Sequence, residues 1–350
     1  MKNYTYLLGA GASYNALPVT TNFSKKLKDF KNWFEIKYTK LSDEPYEDSQ
    51  DIKLSPKVCK QIFIEKINLV IKKIDEIGSI DKYAKSLYEK KCINKLKMLK
   101  ATLSCYFTFE QSRIKIDERY LDFLKKIIIQ DKGDIKLPEN FKIISWNYDI
   151  QFEKAFYEYC KLFNYESYTE NHVNLLKKIQ AYPNQIMDAP YNLNEFSILK
   201  INGCACFNLD VNSDIARTKS NYLFDYFNEL KENAASNYLE IFGKHISGVL
   251  ESQLNFAFEN NQYTEKYHNV AKKLVEKTDT LIIIGYSFPE YNNDVDTSIL
   301  NSMPCLKDII IQTQEKDFNN YTNKLKKLLN KNEIIYNKIE ETDKFYIHHN

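Results

Sequence analysis

A polar triplet ends an apolar run near the middle of the chain. Segment 143–149, IISWNYD, begins as a buried strand and finishes with Asn147, Tyr148 and Asp149. The apolar spacing of residues 150–162 then predicts a helix, so the triplet lies where strand becomes helix. Parallel α/β sheets bind ligands at this position. We therefore expect the Asn147 amide and the Asp149 carboxylate to face a ligand, with a simple helix cap as the alternative for Asp149.

Glycines follow three other short apolar runs. The chain has only eight glycines in 350 residues, far below the usual share of about 7%, and four of the eight lie in these segments. Glycine permits positive φ and a close approach of the backbone to a ligand. Four strand ends are therefore predicted to meet one ligand, although ordinary strand-to-helix turns would also use glycine. The segments are Gly9-Ala10-Gly11-Ala12-Ser13 after 6–8, Asn202-Gly203 after 198–201, and Gly285-Tyr286-Ser287 after 281–284.

Short strands alternate with helical segments along the chain. This alternation predicts an α/β fold, a Rossmann-like parallel sheet flanked by helices, with large helical insertions. The stretch 165–196 is expected to be rich in loops, and Asp294 to cap the helix that holds Ile299 and Leu300. The predicted strands are 4–8, 142–146, 198–201, 280–284 and 308–311, with 334–336 as a further edge element.

Two long stretches with helical spacing interrupt the strand pattern. The first insertion, 21–135, has Val58, Ile62, Ile67 and Ile74 at helical spacing. The second insertion, 205–276, is predicted to be helical from about Thr218 to Glu276, with apolar residues at helical spacing that include Leu223, Leu230 and Phe256. We predict one domain over 1–350, with a core formed by residues 1–20, 136–204 and 277–350.

The composition disfavours several classes of partner. Basic and acidic residues number 49 and 47, which leaves no basic field for nucleic acid. Only three basic residues are arginine, so a phosphate site would depend on backbone N–H groups and lysine. The first residues are too short an apolar run for a signal peptide, and no stretch approaches a membrane span of about 20 apolar residues. We expect a cytoplasmic protein.

Common catalytic and metal motifs are missing from the sequence. Seven cysteines include no C-x-x-C pair, which disfavours structural zinc and a disulfide framework. Cys204 and Cys206 are predicted to be small buried residues. None of the five histidines follows a predicted strand, and no P-loop, H-E-x-x-H or G-x-S-x-G occurs. The turn 9–13 is similar to a dinucleotide fingerprint without its third glycine, so either a pyrophosphate turn or a plain tight turn would explain it.

In their order, the four segments resemble the sirtuin-like family, and its bacterial branch of NAD-cleaving anti-phage effectors more than the protein deacylases. That family opens with GAGAS and a later proline, carries T-x-N-Y-D after a helical insertion, then K-L-H-G, then I-I-G-Y-S-[FL]-P. The resemblance spans nearly the whole chain. The matching residues are Gly9 to Ser13 with Pro18, Ser145 to Asp149, Lys200 to Gly203, and Ile283 to Pro289.

The resemblance implies a Rossmann-like site for NAD, which would be the substrate, without a metal. It places Asn147 at the nicotinamide ribose and the attacking water, and Asp149 where it orients Asn147 and the next helix. The implied catalytic residues are thus Asn147, Asp149 and Asn202. The implied NAD-binding residues are Gly9, Ala10, Gly11, Ala12 and Ser13 around the pyrophosphate, Gly203, and Gly285 and Ser287 near the adenosine.

Asn202 departs from the family, which usually has a catalytic histidine at this position. An amide can hydrogen-bond a ribose hydroxyl but cannot take up a proton near neutral pH, so general-base help from this position is lost. The leaving nicotinamide is a neutral pyridine and needs no protonation, which keeps NAD hydrolysis as the leading hypothesis. The alternative is a regulatory subunit that binds NAD or ADP-ribose without cleaving it. Protein deacylation is disfavoured, because the four-cysteine zinc module of those enzymes is missing.

Regulation is expected to come from assembly. A free NADase would be toxic to its cell, and little sequence remains for a separate sensor domain. The sequence therefore predicts a homo-oligomer, a separate regulator protein, or both, acting on the helical insertion.

Overall fold

Seven parallel strands form the central sheet. A computed structural model describes residues 2–46, 53–131, 134–163, 177–183, 192–205, 208–210, 232–331 and 333–348. Apolar residues fill the inner strands, as expected for a sheet covered on both faces. The sheet strands are β1 (Tyr4–Leu8), β4 (Phe141–Ser145), β5 (Ala181–Tyr182), β6 (Ser197–Lys200), β9 (Thr280–Ile284), β10 (Asp308–Gln312) and β11 (Ile335–Ile339).

The order of the sheet is β11-β10-β9-β1-β4-β6-β5, with every neighbouring pair parallel. From β1 the chain first continues on one side, through β4, and later crosses to the other side at β9. The strand order therefore reverses beside β1, and the carboxyl ends of β1, β4 and β9 meet there. Such a switch point is where open α/β sheets bind ligands. The predicted α/β, Rossmann-like fold class is confirmed.

Helices cover both faces of the sheet and form a further layer beside it. Several begin at recognisable caps: Ser55 and Ser79 accept hydrogen bonds from the N–H groups of Val58 and Lys82. The described helices are α1 (Phe23–Lys37), α2 (Pro56–Ile77), α3 (Ile80–Glu89), α4 (Ile93–Arg113), α5 (Glu118–Ile127), α6 (Gln151–Leu162), α7 (Glu232–Ile246), α8 (Gln262–Val275), α9 (Asn293–Leu300) and α10 (Glu315–Leu328).

The two insertions share one hydrophobic core. Phe30, Phe34 and Phe63 from the first insertion pack with Phe109 of α4 and Phe242 of α7, and all five are fully buried. Helix α5 lies within the predicted first insertion, but it packs against α6 and the sheet instead. The helical layer thus consists of α1 to α4 with α7. The crevice described below lies between this layer and the sheet.

The second insertion is only partly helical, which corrects its prediction. Strand β8 (Leu250–Ser252) pairs with β7 (Asn208–Asp210), and the segment 253–261 that carries Phe256 is not a helix. The predicted helical turns at Leu223 and Leu230 lie outside the described residues. The apolar spacing gave a wrong prediction here, because Phe256 is buried although its segment, which lies beside Asn202, is not a helix.

Other predicted boundaries need small corrections. The two-residue strand β5 lies in the stretch expected to be loop, and the hairpin of β2 (Ile129–Asp131) and β3 (Asp134–Lys136) was not anticipated. Asp294 lies in the first turn of α9, whose N-cap residue is Asn292. Among the described helices, none is long and apolar enough to cross a membrane.

Candidate functional site

A cavity of about 150 Å³ opens at the carboxyl ends of β1, β4 and β9. We call it the crevice. One wall comes from the sheet loops, and the opposite wall from the helical layer. Its polar lining residues are Ser13, Ser79, Asp81, Asn147, Tyr148, Asp149, Asn202, Ser287, Tyr291 and Asn292; Leu17, Phe23, Ile74, Ile80, Phe107, Trp146 and Tyr286 supply apolar surface.

The crevice brings together most of the predicted site. Asn147, Asp149 and Asn202 line it, and so do Ala10, Ser13, Gly285 and Ser287. Gly9, Gly11, Ala12 and Gly203 are not among the lining residues. Their predicted part in NAD binding stays a prediction, as do the roles of the lining residues.

The glycine loops after β1 and β9 press against each other. A Cβ on Gly9 or Gly11 would lie within 2.6 to 2.7 Å of Gly285. Gly285 itself has φ +65°, and a Cβ there would approach the backbone N of Ala12 to 2.3 Å. The N–H of Gly9 donates to Ile284 O and that of Gly11 to Gly285 O, each at 3.0 Å. These glycines therefore permit loop-to-loop contact, where the sequence indicated contact with a ligand.

Ser13 links the loop after β1 to the loop after β4. Its Oγ donates to Asp149 Oδ2 at 2.8 Å and receives the Asn147 amide at 3.3 Å. The Tyr120 hydroxyl lies 2.8 Å from the same Oγ. All four residues are buried. The network fixes the side-chain direction of Asn147, and Asp149 takes part in it through Ser13.

Asp149 also contacts the start of the following helix. Its Oδ1 accepts the Gln151 N–H at 3.1 Å, but the N-cap residue of α6 is Ile150 and not Asp149. Burial raises the pKa of Asp149, although the Lys200 ammonium and the Ser13 hydrogen bond act to lower it. The two oxygens of Asp149 thus contact Ser13 and the first N–H of α6, and its role in the reaction stays a prediction.

A buried ion pair supports this loop from below. Lys200 donates to Glu153 and, at 2.6 Å, to the backbone carbonyl of Asp149. Burial alone would lower the pKa of Lys200, but the adjacent Glu153 carboxylate raises it to about 12. Lys200 is therefore a cation that holds the β4 loop against α6.

Asn202 has an unused acceptor in the crevice. It is 6% exposed, and its Nδ2 donates to Trp146 O at 3.4 Å. The hydroxyl of Tyr148 is close enough for the Asn202 amide to lower the Tyr148 pKa, but burial raises that pKa far more. Asn202 Oδ1 is a buried acceptor with no hydrogen-bond donor among the described residues. Such an atom is costly unless a ligand or water donates to it.

Gly203 lets the turn after β6 pack against the segment 253–255. It has φ +70°, and a Cβ there would lie 1.8 Å from Gln253 O. The Asn255 N–H donates to Asn202 O at 2.8 Å. Gly203 therefore positions Asn202 through backbone contact.

Arg119 holds the outer side of the glycine loop, a role that the sequence analysis missed. Its guanidinium donates to Gly11 O and Ala12 O at 3.3 and 2.9 Å. It also pairs with Asp117, whose side chain is fully buried. No local pattern marks this role, because Gly11 and Ala12 lie about a hundred residues from Arg119 in the chain.

Aromatic rings form the floor of the crevice. Trp146 stacks on Tyr286 with ring centroids 5.5 Å apart. The Tyr286 hydroxyl donates to Asp296 Oδ2 at 2.7 Å and receives the Asn292 amide at 2.9 Å. Burial raises the pKa of Asp296 to about 8. This carboxyl is thus neutral near pH 7. Its hydrogen bond with the Tyr286 hydroxyl fixes the Tyr286 side chain.

The helical layer contributes an acid that the sequence did not reveal. Asp81, in the first turn of α3, lines the crevice opposite the sheet. It is partly exposed there, but desolvation by its surroundings raises its pKa to about 6, while the Tyr291 hydroxyl acts to lower it. Two carboxyl groups, Asp81 and Asp149, therefore line the crevice, and none of the described lining residues is lysine, arginine or histidine.

The cysteines and metal-type ligands form no further centre in the part of the chain that the structure describes. Cys59, Cys105, Cys160 and Cys204 are buried free thiols, as predicted for Cys204, whereas Cys206 lies outside the described residues. Within the described ranges no group of three or more His, Cys, Asp or Glu side chains is arranged to hold a metal ion.

Comparison with known proteins gives only a distant structural match. No protein-family model and no curated protein matches the chain. A solved structure described as Sir2Tm bound to a propionylated peptide aligns over 89% of this chain and 81% of its own, with 12% identity and a TM-score of 0.32. Function is therefore inferred from the crevice residues themselves and not from this neighbour.

Proposed function

We propose that the protein is an NAD⁺ hydrolase that cleaves the nicotinamide–ribose bond in the crevice and releases nicotinamide and ADP-ribose. Following the resemblance of its four segments, it would act as an effector of bacterial anti-phage defence by depleting NAD. The observation that carries the proposal is the meeting of Asn147, Asp149 and Asn202 in one cavity at the switch point of the sheet.

The charges in the crevice favour a cationic ligand group. Asp81 and Asp149 are the charged types among its described lining residues. The nicotinamide ring of NAD⁺ carries a positive charge, and the ribose becomes oxocarbenium-like as the bond breaks. Carboxylates and amide oxygens that are fixed in advance stabilise such developing charge. The pyrophosphate would instead lie at the mouth near Ala10, with the adenosine near Ser287.

The amides would hold the ribose. Asn202 Oδ1 lacks a donor in the described protein and would accept a hydrogen bond from a ribose hydroxyl. Asn147 is directed by Ser13, which Asp149 and Tyr120 fix in turn. Hydrogen bonds to the residue that directs a reacting group keep that group within the narrow geometry that catalysis needs. No metal takes part in this proposal.

The crevice is smaller than a typical ligand site. A cavity of about 150 Å³ is smaller than the roughly 300–1,000 Å³ of typical ligand sites. Ile74, Ser79 and Ile80 form the wall at the junction of α2 and α3. Binding of whole NAD⁺ would require this junction to shift. Control by self-association or by a regulator protein would then act through the helical layer.

A second candidate is a regulatory subunit that binds NAD or ADP-ribose without cleaving it. Asn202 favours this candidate, because its amide cannot accept a proton near neutral pH. The loss of a general base typically lowers the rate by a factor of about 100 to 10,000. The crevice would be the same, and only turnover would differ.

Chromatography of NAD⁺ incubated with concentrated protein tests the proposal. We expect nicotinamide release by the wild type, and at least a 100-fold loss in Asn147→Ala, the order seen when one such hydrogen-bond donor is removed (about 10² to 10³). Asn320→Ala, which removes an exposed amide on α10, is the matched control and should retain full activity. Asn202→His should increase the rate.

The outcomes separate the two candidates. Release by Asn147→Ala at the wild-type rate would refute the assigned role of Asn147. Tight binding of ADP-ribose without nicotinamide release, followed by release in Asn202→His, would identify the chain as the regulatory subunit.

A further inference from the structure

Asp81 enters the crevice from the helical layer, and the reaction as proposed so far uses it only as a negative charge. Ser79 caps α3 by accepting the Lys82 N–H at 3.2 Å, and Asp81 follows in the first helical turn. Both Ser79 and Asp81 line the cavity that contains Asn147 and Asn202. The cap therefore fixes a carboxylate on the wall opposite the catalytic loops.

The groups that interact with Asp81 follow two strands, β9 and β4. Tyr291 follows β9 and its hydroxyl interacts with the Asp81 carboxyl. Tyr148 follows β4 and is close enough for the charge of Asp81 to raise the Tyr148 pKa. Asp149 is the other carboxyl that lines the crevice. The Asn202 amide lies beside Tyr148, so the cluster reaches from α3 across to the end of β6.

We propose that Asp81 is the general base for the water that attacks the ribose in the NAD⁺ cleavage proposed above. It would supply the proton acceptor that the amide of Asn202 cannot provide. This inference rests on the proposed function. The acceptor thus comes from the helical insertion and not from the sheet.

The reaction balances with water as the only co-reactant. The bond between C1′ of the ribose and the nicotinamide nitrogen breaks, and its electron pair leaves with neutral nicotinamide. The water oxygen forms a bond to C1′, and its proton passes to the Asp81 carboxylate and then to solvent. The products are nicotinamide, ADP-ribose and one proton.

Asp149 is less suited to this step, although it lines the same cavity. One of its oxygens accepts from Ser13 Oγ and the other from the Gln151 N–H. Taking up a proton would disrupt the contacts that direct Asn147 and start α6. Asp81 is partly exposed to the cavity, and its pKa of about 6 leaves it largely ionised at neutral pH yet basic enough to accept a proton.

The test is the pH profile of nicotinamide release. For the wild type, kcat should fall as the pH drops through about 6, because Asp81 becomes protonated. Asp81→Asn should lower kcat by a factor of about 100 to 10,000 and remove that acid limb, while ADP-ribose binding is retained. Glu290→Gln removes an exposed carboxylate next to Tyr291 and should leave rate and profile unchanged.

Tyr291→Phe gives a second test that does not remove the carboxylate. The Tyr291 hydroxyl lowers the pKa of Asp81, so its loss should move the acid limb to higher pH. If Asp81→Asn keeps the wild-type rate and profile, or if the acid limb stays in place in Tyr291→Phe, the assignment of Asp81 is wrong while NAD⁺ hydrolysis stands. No release by the wild type at any pH overturns both proposals.

Discussion

Gly285→Ala should destabilise the protein through a contact that the structure defines closely. A Cβ at Gly285 would lie 2.3 Å from Ala12 N and 2.4 Å from the carbonyl carbon of Gly11. Both atoms are backbone, so no side-chain rotation relieves the clash. The φ of +65° adds a cost of about 1–2 kcal/mol for any L side chain, and forced overpacking typically adds about 1–3 kcal/mol. The free energy of unfolding should therefore fall by about 2–5 kcal/mol.

Gly248→Ala separates the two contributions. Gly248 has φ +75°, but a Cβ there would meet nothing within 4 Å. The Gly248→Ala variant should therefore lose only the free energy that the positive φ costs an L side chain. Chemical denaturation of both variants, followed by circular dichroism, should place Gly285→Ala about 1–3 kcal/mol below Gly248→Ala. Equal losses in the two variants would refute the contact between the loops after β1 and β9.

Substitutions at three further sites test the supports of the crevice. Arg119→Gln should lower the free energy of unfolding by about 3–5 kcal/mol, because it leaves buried Asp117 without its cation; a loss below 1 kcal/mol in denaturant melts would contradict that pairing. Lys200→Met should cost a similar amount by stranding Glu153, and adding Glu153→Leu should restore most of it, since apolar replacement of both partners is often neutral. Asp296→Asn should flatten the pH dependence of stability. In the folded state Asp296 keeps its proton up to about pH 8, whereas in the unfolded chain it releases the proton near pH 4. Wild-type stability should therefore decrease as the pH rises between these two values. Melting curves of Asp296→Asn that depend on pH as those of the wild type do would count against a neutral Asp296.

The sequence predicted the sheet and its ligand-binding edge well because these signals are local. The apolar runs of β1 and β9 match their predicted bounds, and the polar residues that follow β4 lie in the crevice. A strand end combines a buried run with an abrupt polar change, and both are visible within ten residues. Asn147 and Asp149 were identified in this way.

The parts that the sequence did not reveal depend on contacts between distant segments. In the sequence, Arg119 is one of several charged residues in an amphipathic helix. Its role becomes visible only from the carbonyl groups to which it donates in the structure. Asp81 looks like an ordinary first-turn acid of α3, and only packing brings it into the crevice. Phe256 follows helical spacing but is buried from a non-helical segment. Gly9, Gly11 and Gly285 lie in the loops after β1 and β9. The sequence did not reveal that these two loops contact each other.

The location of bound NAD⁺ tests the central claim most directly. A crystal structure of the protein with a carbocyclic NAD⁺ analogue, which cannot be cleaved, would show it. We expect the nicotinamide and its ribose in the crevice, with a ribose hydroxyl donating to Asn202 Oδ1 and the Asn147 side chain in contact with the ribose. An analogue bound elsewhere, for example in the separate cavity between α4 and the segment 250–261, or no bound analogue at saturating concentration, would contradict the assignment of the crevice as the NAD⁺ site.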